Sequence, residues 1–367
     1  MDEKFATAEG TRKFAARFPE AAREYFRETP SGLRLSSIGI GTYFGNWDTE
    51  TDAAYAESVT RFVELGGNVI DTAANYRFQR SERNIGKALQ NLEAKGFGRG
   101  ELLICTKGGF LPFDGEPSSD VRTYFEETFV KPGIADFADL AGGSHCMAPK
   151  YLQNQLDQSL GNMELETVDV YYIHNPEMQL GEVDKHTFEA RLGKAFETLE
   201  ENRSAGKLRF YGVATWNGFR VSPQQENYHS LERMVSIAKQ IAGQDHGFKF
   251  IQLPFNLAMP EAYLLNNQAF QGKVYSAVEA ARNLGVTVIS SASIFQKKLE
   301  GNLSVNVRKI FGDLPSDAQT AIQFVRSTPG VTTALVGMAQ TKHVEENLRL
   351  LKIAPTGEED FQELFTR

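Results

Sequence analysis

Short β-branched apolar runs alternate with longer stretches of helical period along almost the whole chain. The runs read LSSIGIGTY, NVIDTAA, LLICTKG, VDVYYIH, RFYGVAT, KFIQLPF, VTVISSA and TALVGM. Each is nearly continuous in apolar residues, as strands buried on both faces are. Between them lie AAYAESVTRFVELG, ERNIGKALQNLEAKG, YLQNQLDQSLGNM, FEARLGKAFETLEENRSAG, LERMVSIAKQIAG, VYSAVEAARNLG and AQTAIQFVRST, with a last helix from Thr341 in TKHVEENLRLLK. Leu152, Leu156, Leu160 and Met163 share one helical face, and Ala195, Leu199 and Arg203 form a stripe that turns polar. Gly66, Gly206, Gly243 and Gly285 stand where a helix yields to the next strand, the place of a left-handed cap. Ser81 ahead of Glu82 reads as a helix N-cap. This alternation predicts the α/β class: a single (β/α)8 TIM barrel, with its chemistry on the loops that follow the strands.

Two segments break the repeat. Residues 1–30, with TRKFAARFPEAAREYF, predict a helical N-terminal extension; 31–355 form the barrel and 356–367 a C-terminal tail. Between Lys107 and Tyr151 the chain runs far past the roughly 2–6 residues of an ordinary βα loop. This insert after the third strand, about 108–150, leaves the barrel at its functional rim. Its aromatics, Phe110, Phe113, Tyr124, Phe125, Phe129 and Phe137, are either a satellite core or pocket walls.

Composition narrows the class. Of 367 residues, 41% are hydrophobic and 23% charged, an ordinary globular balance that can bury a large core. A net charge of −8 argues against nucleic acid as a partner, because phosphate binding needs a positive footprint. No run is long and apolar enough for a membrane span. The N-terminus MDEKFATAEGTRKFAARF lacks a signal-like apolar region, and two cysteines, Cys105 and Cys146, make no disulfide framework; both fit the cytoplasm. Cys105 shares a strand face with Lys107 and reads as core filler. His145-Cys146 has no second ligand pair at zinc-like spacing, so no metal is expected. His186, His229 and His246 sit in polar contexts and read as surface residues, Tyr171 and Tyr172 as packing, and Glu177 as a rim charge or cap.

Four residues carry chemistry at strand ends: Asp71 and Tyr76 in VIDTAANY, Lys107 in LLICTKGG and His174 in VDVYYIHNP. Singly, an Asp or Lys there is a solvated charge or a structural ion pair. Together on one rim they make a proton-handling site. A phenol is a poor acid at neutral pH, but an ammonium beside it favours the phenolate. Lys107 supplies that charge, Asp71 holds Lys107 protonated, and a neutral His174 donates a hydrogen bond to a substrate oxygen. That arrangement protonates a carbonyl oxygen as charge develops on it. The hydride for the other half must come from a nicotinamide cofactor.

With GGNVIDTAANY, SERNIGKAL, YYIHNP and EENL around these positions, the chain resembles the aldo-keto reductase superfamily along about residues 33–350. The resemblance implies NAD(P)H-dependent reduction of an aldehyde or ketone, or the reverse oxidation, with Tyr76 as general acid. It implies a cofactor laid across the rim, without a GxGxxG loop, and NADP(H) ahead of NAD(H). The implied cofactor residues are Gly41, Thr42, Tyr43, Asp71, Thr215, Asn217, Gln252, Ser290, Ser291, Gly337, Met338, Ala339, His343, Glu346 and Asn347. The family's Ser-Asn pair after strand five is Ala214-Thr215 here, with Asn217 near. Its aromatic residue after strand seven is replaced by Ser290 and Ser291, with Trp216 and Phe255 as other rings. Ala339 and His343, beside Gln340 and Lys342, stand where relatives place an Arg on the 2′-phosphate.

The departures motivate an alternative from another class, a nicotinamide-binding regulatory or sensor protein with vestigial chemistry. A redox-neutral isomerase or lyase on the same barrel is a third reading. Cofactor titration and a carbonyl screen separate them. Substrate, direction of reaction and oligomeric state have no signal in the sequence.

Overall fold

The computed structural model describes residues 3–295, 301 and 303–366. The first two residues of the expected extension and the last residue of the expected tail lie outside these.

In chain order the N-terminal helix α1 (Ala8–Ala16) leads into a hairpin of β1 (Phe26–Glu28) and β2 (Arg34–Ser36). Then come β3 (Ile38–Gly41), α2 (Thr49–Glu64), β4 (Val69–Asp71), α3 (Arg80–Ala94), β5 (Leu103–Gly108), α4 (Val121–Phe125), α5 (Pro149–Met163), β6 (Val168–His174), α6 (Lys185–Ser204), β7 (Leu208–Ala214), α7 (Leu231–Ala242) and β8 (Phe248–Pro254). A short helix α8 (Glu261–Leu264) and a second hairpin, β9 (Asn266–Phe270) with β10 (Lys273–Ser276), precede α9 (Ala277–Asn283) and β11 (Thr287–Ser291). The chain continues with α10 (Val305–Ile310), α11 (Asp317–Ser327), β12 (Val331–Gly337), α12 (Thr341–Asn347) and α13 (Glu358–Thr366). Eight strands close in the order β11-β12-β3-β4-β5-β6-β7-β8, all parallel, so the barrel the sequence predicts is the observed fold.

Strand parity positions the site. Side chains alternate across a strand. Val69, Leu103, Cys105, Val170, Tyr172, Phe250, Ile289 and Leu335 fill the barrel interior. Ile70, Ile104, Tyr171, Ile173, Ile251, Val288 and Val336 pack outward, where Leu152, Leu156, Leu160 and Met163 of α5 meet them. Asp71, Lys107, His174 and Gln252 share the interior parity and stand one step above the last apolar layer. The glycine ends of α2, α6, α7 and α9 all have positive φ, at Gly66, Gly206, Gly243 and Gly285.

Local propensity misled in several places. The N-terminal helix ends at Ala16, three residues before Pro19, and Phe26 already belongs to a strand. That segment closes the bottom of the barrel: Ala6, Leu33 and Leu35 join the interior cluster, and the Ala6 N–H donates to Asp169 Oδ1 at 2.6 Å. LSSIGIGTY is two strands, because Ser37 donates its N–H to Tyr25 and breaks the run. Val274 to Ser276 are hairpin rather than helix, and Ser276 with Glu279 caps α9. Ser81 lies inside α3 behind Gln79, and its hydroxyl donates to the Thr42 carbonyl instead of capping. His229 and His246 are buried, not surface residues.

The insert holds its own small core of Leu111, Phe125, Phe129, Ala135, Cys146 and Tyr151, with Phe113, Tyr124 and Phe137 packed on it. Among the described residues no helix is long and apolar enough to cross a membrane.

Candidate active site

A cavity of about 730 Å³ opens at the C-terminal mouth of the barrel. Its wall includes Asp71, Tyr76 and His174, with Lys107 directly beneath. Lys107 Nζ donates to Asp71 Oδ1 at 2.5 Å and to the Thr72 carbonyl at 2.8 Å. Gln252 Nε2 donates to the other Asp71 oxygen at 2.8 Å, so both carboxylate oxygens are engaged. The ammonium lies 4.7 Å from the centre of the Tyr76 ring. The rings of Tyr76 and His174 are 5.8 Å apart, edge to face. Tyr43 packs against the far side of Tyr76 at 5.0 Å, and Phe110 meets His174 at 5.0 Å.

Burial raises the Asp71 carboxyl, and Lys107 draws it back; the Asp71 charge in turn lifts Lys107 against the pull of desolvation. Ion pairing at this distance holds both charged. Burial raises the Tyr76 phenol, which Lys107 opposes, so Tyr76 rests as the protonated acid. Burial first, then Lys107 and His145, push His174 well below its ordinary value, and it stays a neutral imidazole. Its Nδ1 is buried without a hydrogen-bond partner among the described residues.

Two supports were not legible beforehand. His145 Nε2 lies 2.7 Å from the His174 carbonyl, and its Nδ1 is 3.0 Å from Gln179 Nε2. The amide is a donor, so Nδ1 accepts and the His145 proton sits on Nε2, facing the carbonyl. Glu177 is no free rim charge: its Oε1 accepts the N–H groups of Trp216 and Asn217. Its partners come from a loop 39 residues away, a distance that local pattern does not reach.

Gly41, Thr42, Tyr43, Thr215, Gln252, Ser291, Gly337, Ala339 and His343 all line this cavity. Five residues expected on the cofactor do not. Ser290 carries outward strand parity and donates to the Phe255 carbonyl at 3.0 Å, and Met338, just past β12, is buried in the outer core. Asn217, Glu346 and Asn347 lie off the cavity wall, and Asn347 is buried. Of the two rings near the mouth, Trp216 lines the cavity, whereas Phe255 is stacked on Phe324 at 5.2 Å. Phe110 is the one insert aromatic on the cavity wall; the rest of the aromatic set belongs to the satellite core. Among the described residues no three His, Cys, Asp or Glu side chains gather as a metal site.

The lining fits a nicotinamide dinucleotide. The His174 ring, Tyr76 and Gln252 meet in its lining, and Gly337 keeps the rim bare where a Cβ would stand 3.3 Å from Phe44. The volume is in the range of cofactor clefts.

Relatives agree with this architecture. An uncharacterised oxidoreductase of Bacillus subtilis, YqkF, is 22% identical over 91% of this chain and 93% of its own. An L-glyceraldehyde 3-phosphate reductase of Escherichia coli K12 is 23% identical over 88% of this chain and 85% of its own. Among solved structures, the glycerol dehydrogenase AKR11B4 of Gluconobacter oxydans superposes with a TM-score of 0.64 at 17% identity, covering 94% and 95% of the two chains. An aldo/keto reductase of Klebsiella pneumoniae in complex with NADP and acetate gives 0.61 at 17% identity, covering 93% and 95%. The sequence profile of the Aldo/keto reductase family matches residues 37–240, more than half of the chain, which therefore belongs to that family.

Proposed function

We propose that the protein reduces a small aldehyde or ketone to the alcohol, or runs the reverse oxidation, with a nicotinamide dinucleotide in the barrel mouth. The observation that carries this reading is the meeting of Tyr76, His174 and the buried Lys107–Asp71 pair on one cavity. The bound cofactor supplies a hydride. The side chains handle the proton. His174, held neutral, donates a ring N–H to the carbonyl oxygen and orients it. Tyr76 gives its phenolic proton to that oxygen as charge builds. Lys107 lies against the Tyr76 ring and lowers the cost of the phenolate left behind, and Asp71 keeps Lys107 charged. Gln252 is bonded to Asp71 and lines the cavity, and it would hold the carboxamide of the cofactor.

NADP(H) is the cofactor we favour, supported by the Klebsiella pneumoniae structures with NADP and NADPH. Ala339 and His343 would face its adenosine end. Calorimetric titration with NADPH and NADH tests this preference.

Tyr76→Phe keeps the ring and removes the acid. Turnover with a panel of aromatic and aliphatic carbonyls should vanish while cofactor binding survives. Full activity in that variant would remove Tyr76 from the mechanism. Ala214, which offers the cavity no side-chain hydrogen bond, favours the second reading, a nicotinamide-dependent sensor. Cofactor binding without turnover on any carbonyl would support that reading instead.

A further inference from the structure

The turn after β7 is held by a carboxylate that the proton chemistry does not use. Glu177 lies in the helical turn Pro176–Gly181 behind His174, and its side chain is 7% exposed. Oε1 accepts the Trp216 N–H at 2.7 Å and the Asn217 N–H at 3.0 Å. His229 Nε2 stands 3.6 Å from Oε2 at its back. His229 is itself clamped: its ring stacks on Phe188 with centroids 5.2 Å apart and planes 6° from parallel, and its backbone N–H donates to the Gly218 carbonyl at 2.7 Å. Arg220 closes the far side of the turn, donating to the Trp216 carbonyl at 3.0 Å and to Glu261 at 2.9 Å. Trp216, 41% exposed, lines the active-site cavity.

Two N–H groups on one ionised oxygen are charge-assisted bonds, and a buried donor left without an acceptor is costly. No other acceptor for these two N–H groups is seen among the described residues. The backbone of Trp216 and Asn217 therefore has one low-energy arrangement only while the carboxylate is present. Burial alone would raise the Glu177 carboxyl, but His229 and the loop N–H groups bring it below its ordinary value, so it is charged at neutral pH.

We infer that Glu177 is a positioning residue: through the N–H groups of Trp216 and Asn217, with His229 behind it, it fixes the Trp216 indole as a wall of the active-site cavity. The kinetic consequence rests on the function proposed above, whereas the placement of the indole does not. A fixed wall holds the substrate in a reactive pose, so its loss weakens binding before it touches the proton transfer.

The chain has two tryptophans, and Trp47, packed on Phe78, is the other. In a Trp47→Phe background Trp216 is the sole reporter. Glu177→Ala should lower the anisotropy of Trp216 and raise its acrylamide quenching about twofold, and Glu177→Gln, which keeps one acceptor oxygen, should recover much of both; in carbonyl reduction the Ala variant should raise KM about tenfold with kcat within about twofold. Trp216→Ala should raise KM by a similar factor, and adding Glu177→Ala to it should change little more. Unaltered Trp216 anisotropy and quenching in Glu177→Ala, with or without a lower melting temperature, would overturn the inference. So would additive KM effects in the double variant. If Glu177→Ala does not fold, Glu177→Met, which fills the same space without an acceptor oxygen, takes its place, and an unmoved indole there is the same negative result. If the parent shows no turnover, the function proposed above fails, while the fluorescence still judges Glu177.

Discussion

Lys107 Nζ stands 2.5 Å from Asp71 Oδ1 at the base of the cavity, and both side chains are closed to solvent. Breaking such a pair from one side leaves a buried charge uncompensated, which costs about 3–5 kcal/mol. Lys107→Met is therefore expected to be strongly destabilised and also to lose about 10²–10⁴-fold in carbonyl reduction, the usual scale for assisted proton transfer. Adding Asp71→Asn removes the stranded charge. The double variant should regain most of the stability and none of the activity. Urea unfolding and initial rates separate the two effects; a Lys107→Met protein as stable as its parent would contradict the closed pair.

The sequence carried the barrel because its strands are buried on both faces, which writes each one as an apolar run. It carried Asp71, Lys107 and His174 for a related reason: a polar residue at the end of such a run, at interior parity, has only the mouth to occupy. The same parity, counted one residue differently, separates Ser290 from the cavity. Hairpins at the barrel bottom and before α9 were missed, since Arg34–Ser36 and Lys273–Ser276 merge with the elements that follow. His145, Glu177 and His229 were underrated because their partners are tertiary: the His174 carbonyl, two loop N–H groups and the face of Phe188.

The insert should behave as a separate unit of stability. Phe129 is buried between Phe125 at 5.6 Å and Tyr151 at 4.8 Å, within a cluster that does not join the barrel core. Phe129→Ala is expected to cost about 3–5 kcal/mol of that local core. Limited proteolysis should then cut between residues 108 and 150 while the barrel fragments stay associated, because the loss is local. Since His145 belongs to the same insert, His174 loses its backbone anchor, and kcat should fall about tenfold as positioning relaxes. Cleavage spread evenly over the chain would show that the insert is not an independent unit.

The opposite end of the barrel should affect stability alone. Asp169, fully buried, accepts from the Ala6 N–H at 2.6 Å, the Ile104 N–H at 2.7 Å and Arg99 Nη2 at 2.7 Å. Asp169→Ala strands the two backbone N–H groups and leaves Arg99, still bonded to the Thr167 and Leu102 carbonyls, without its counter-charge, and a loss of about 3–5 kcal/mol follows. The residue lies at the bottom face, away from the mouth where barrel enzymes keep their chemistry. The melting temperature should drop while kcat/KM stays within about twofold. A large kinetic effect in the folded variant would mean that the two faces are coupled.

His145 should make the fold acid-sensitive in a defined window. Burial is the main cause of its low value, about 4, against an ordinary value of 6.5; the His174 carbonyl opposes the shift only in part. The unfolded chain therefore takes up a proton that the native protein refuses anywhere between those values. Stability rises with pH where the unfolded state binds more protons. The contribution of His145 is accordingly present in full above 6.5, declines as pH falls, and is exhausted near 4. A depression of this size corresponds to about 3 kcal/mol. His145→Gln offers an amide N–H for the same carbonyl and does not titrate. Between pH 7 and pH 4.5 the parent should lose about 2–3 kcal/mol more unfolding free energy than the variant, with the carboxylates common to both cancelling in the difference. Urea titrations at several pH values give that difference. Equal losses would show that native His145 takes its proton as readily as the unfolded chain, and that the His174 carbonyl is not held by a neutral imidazole.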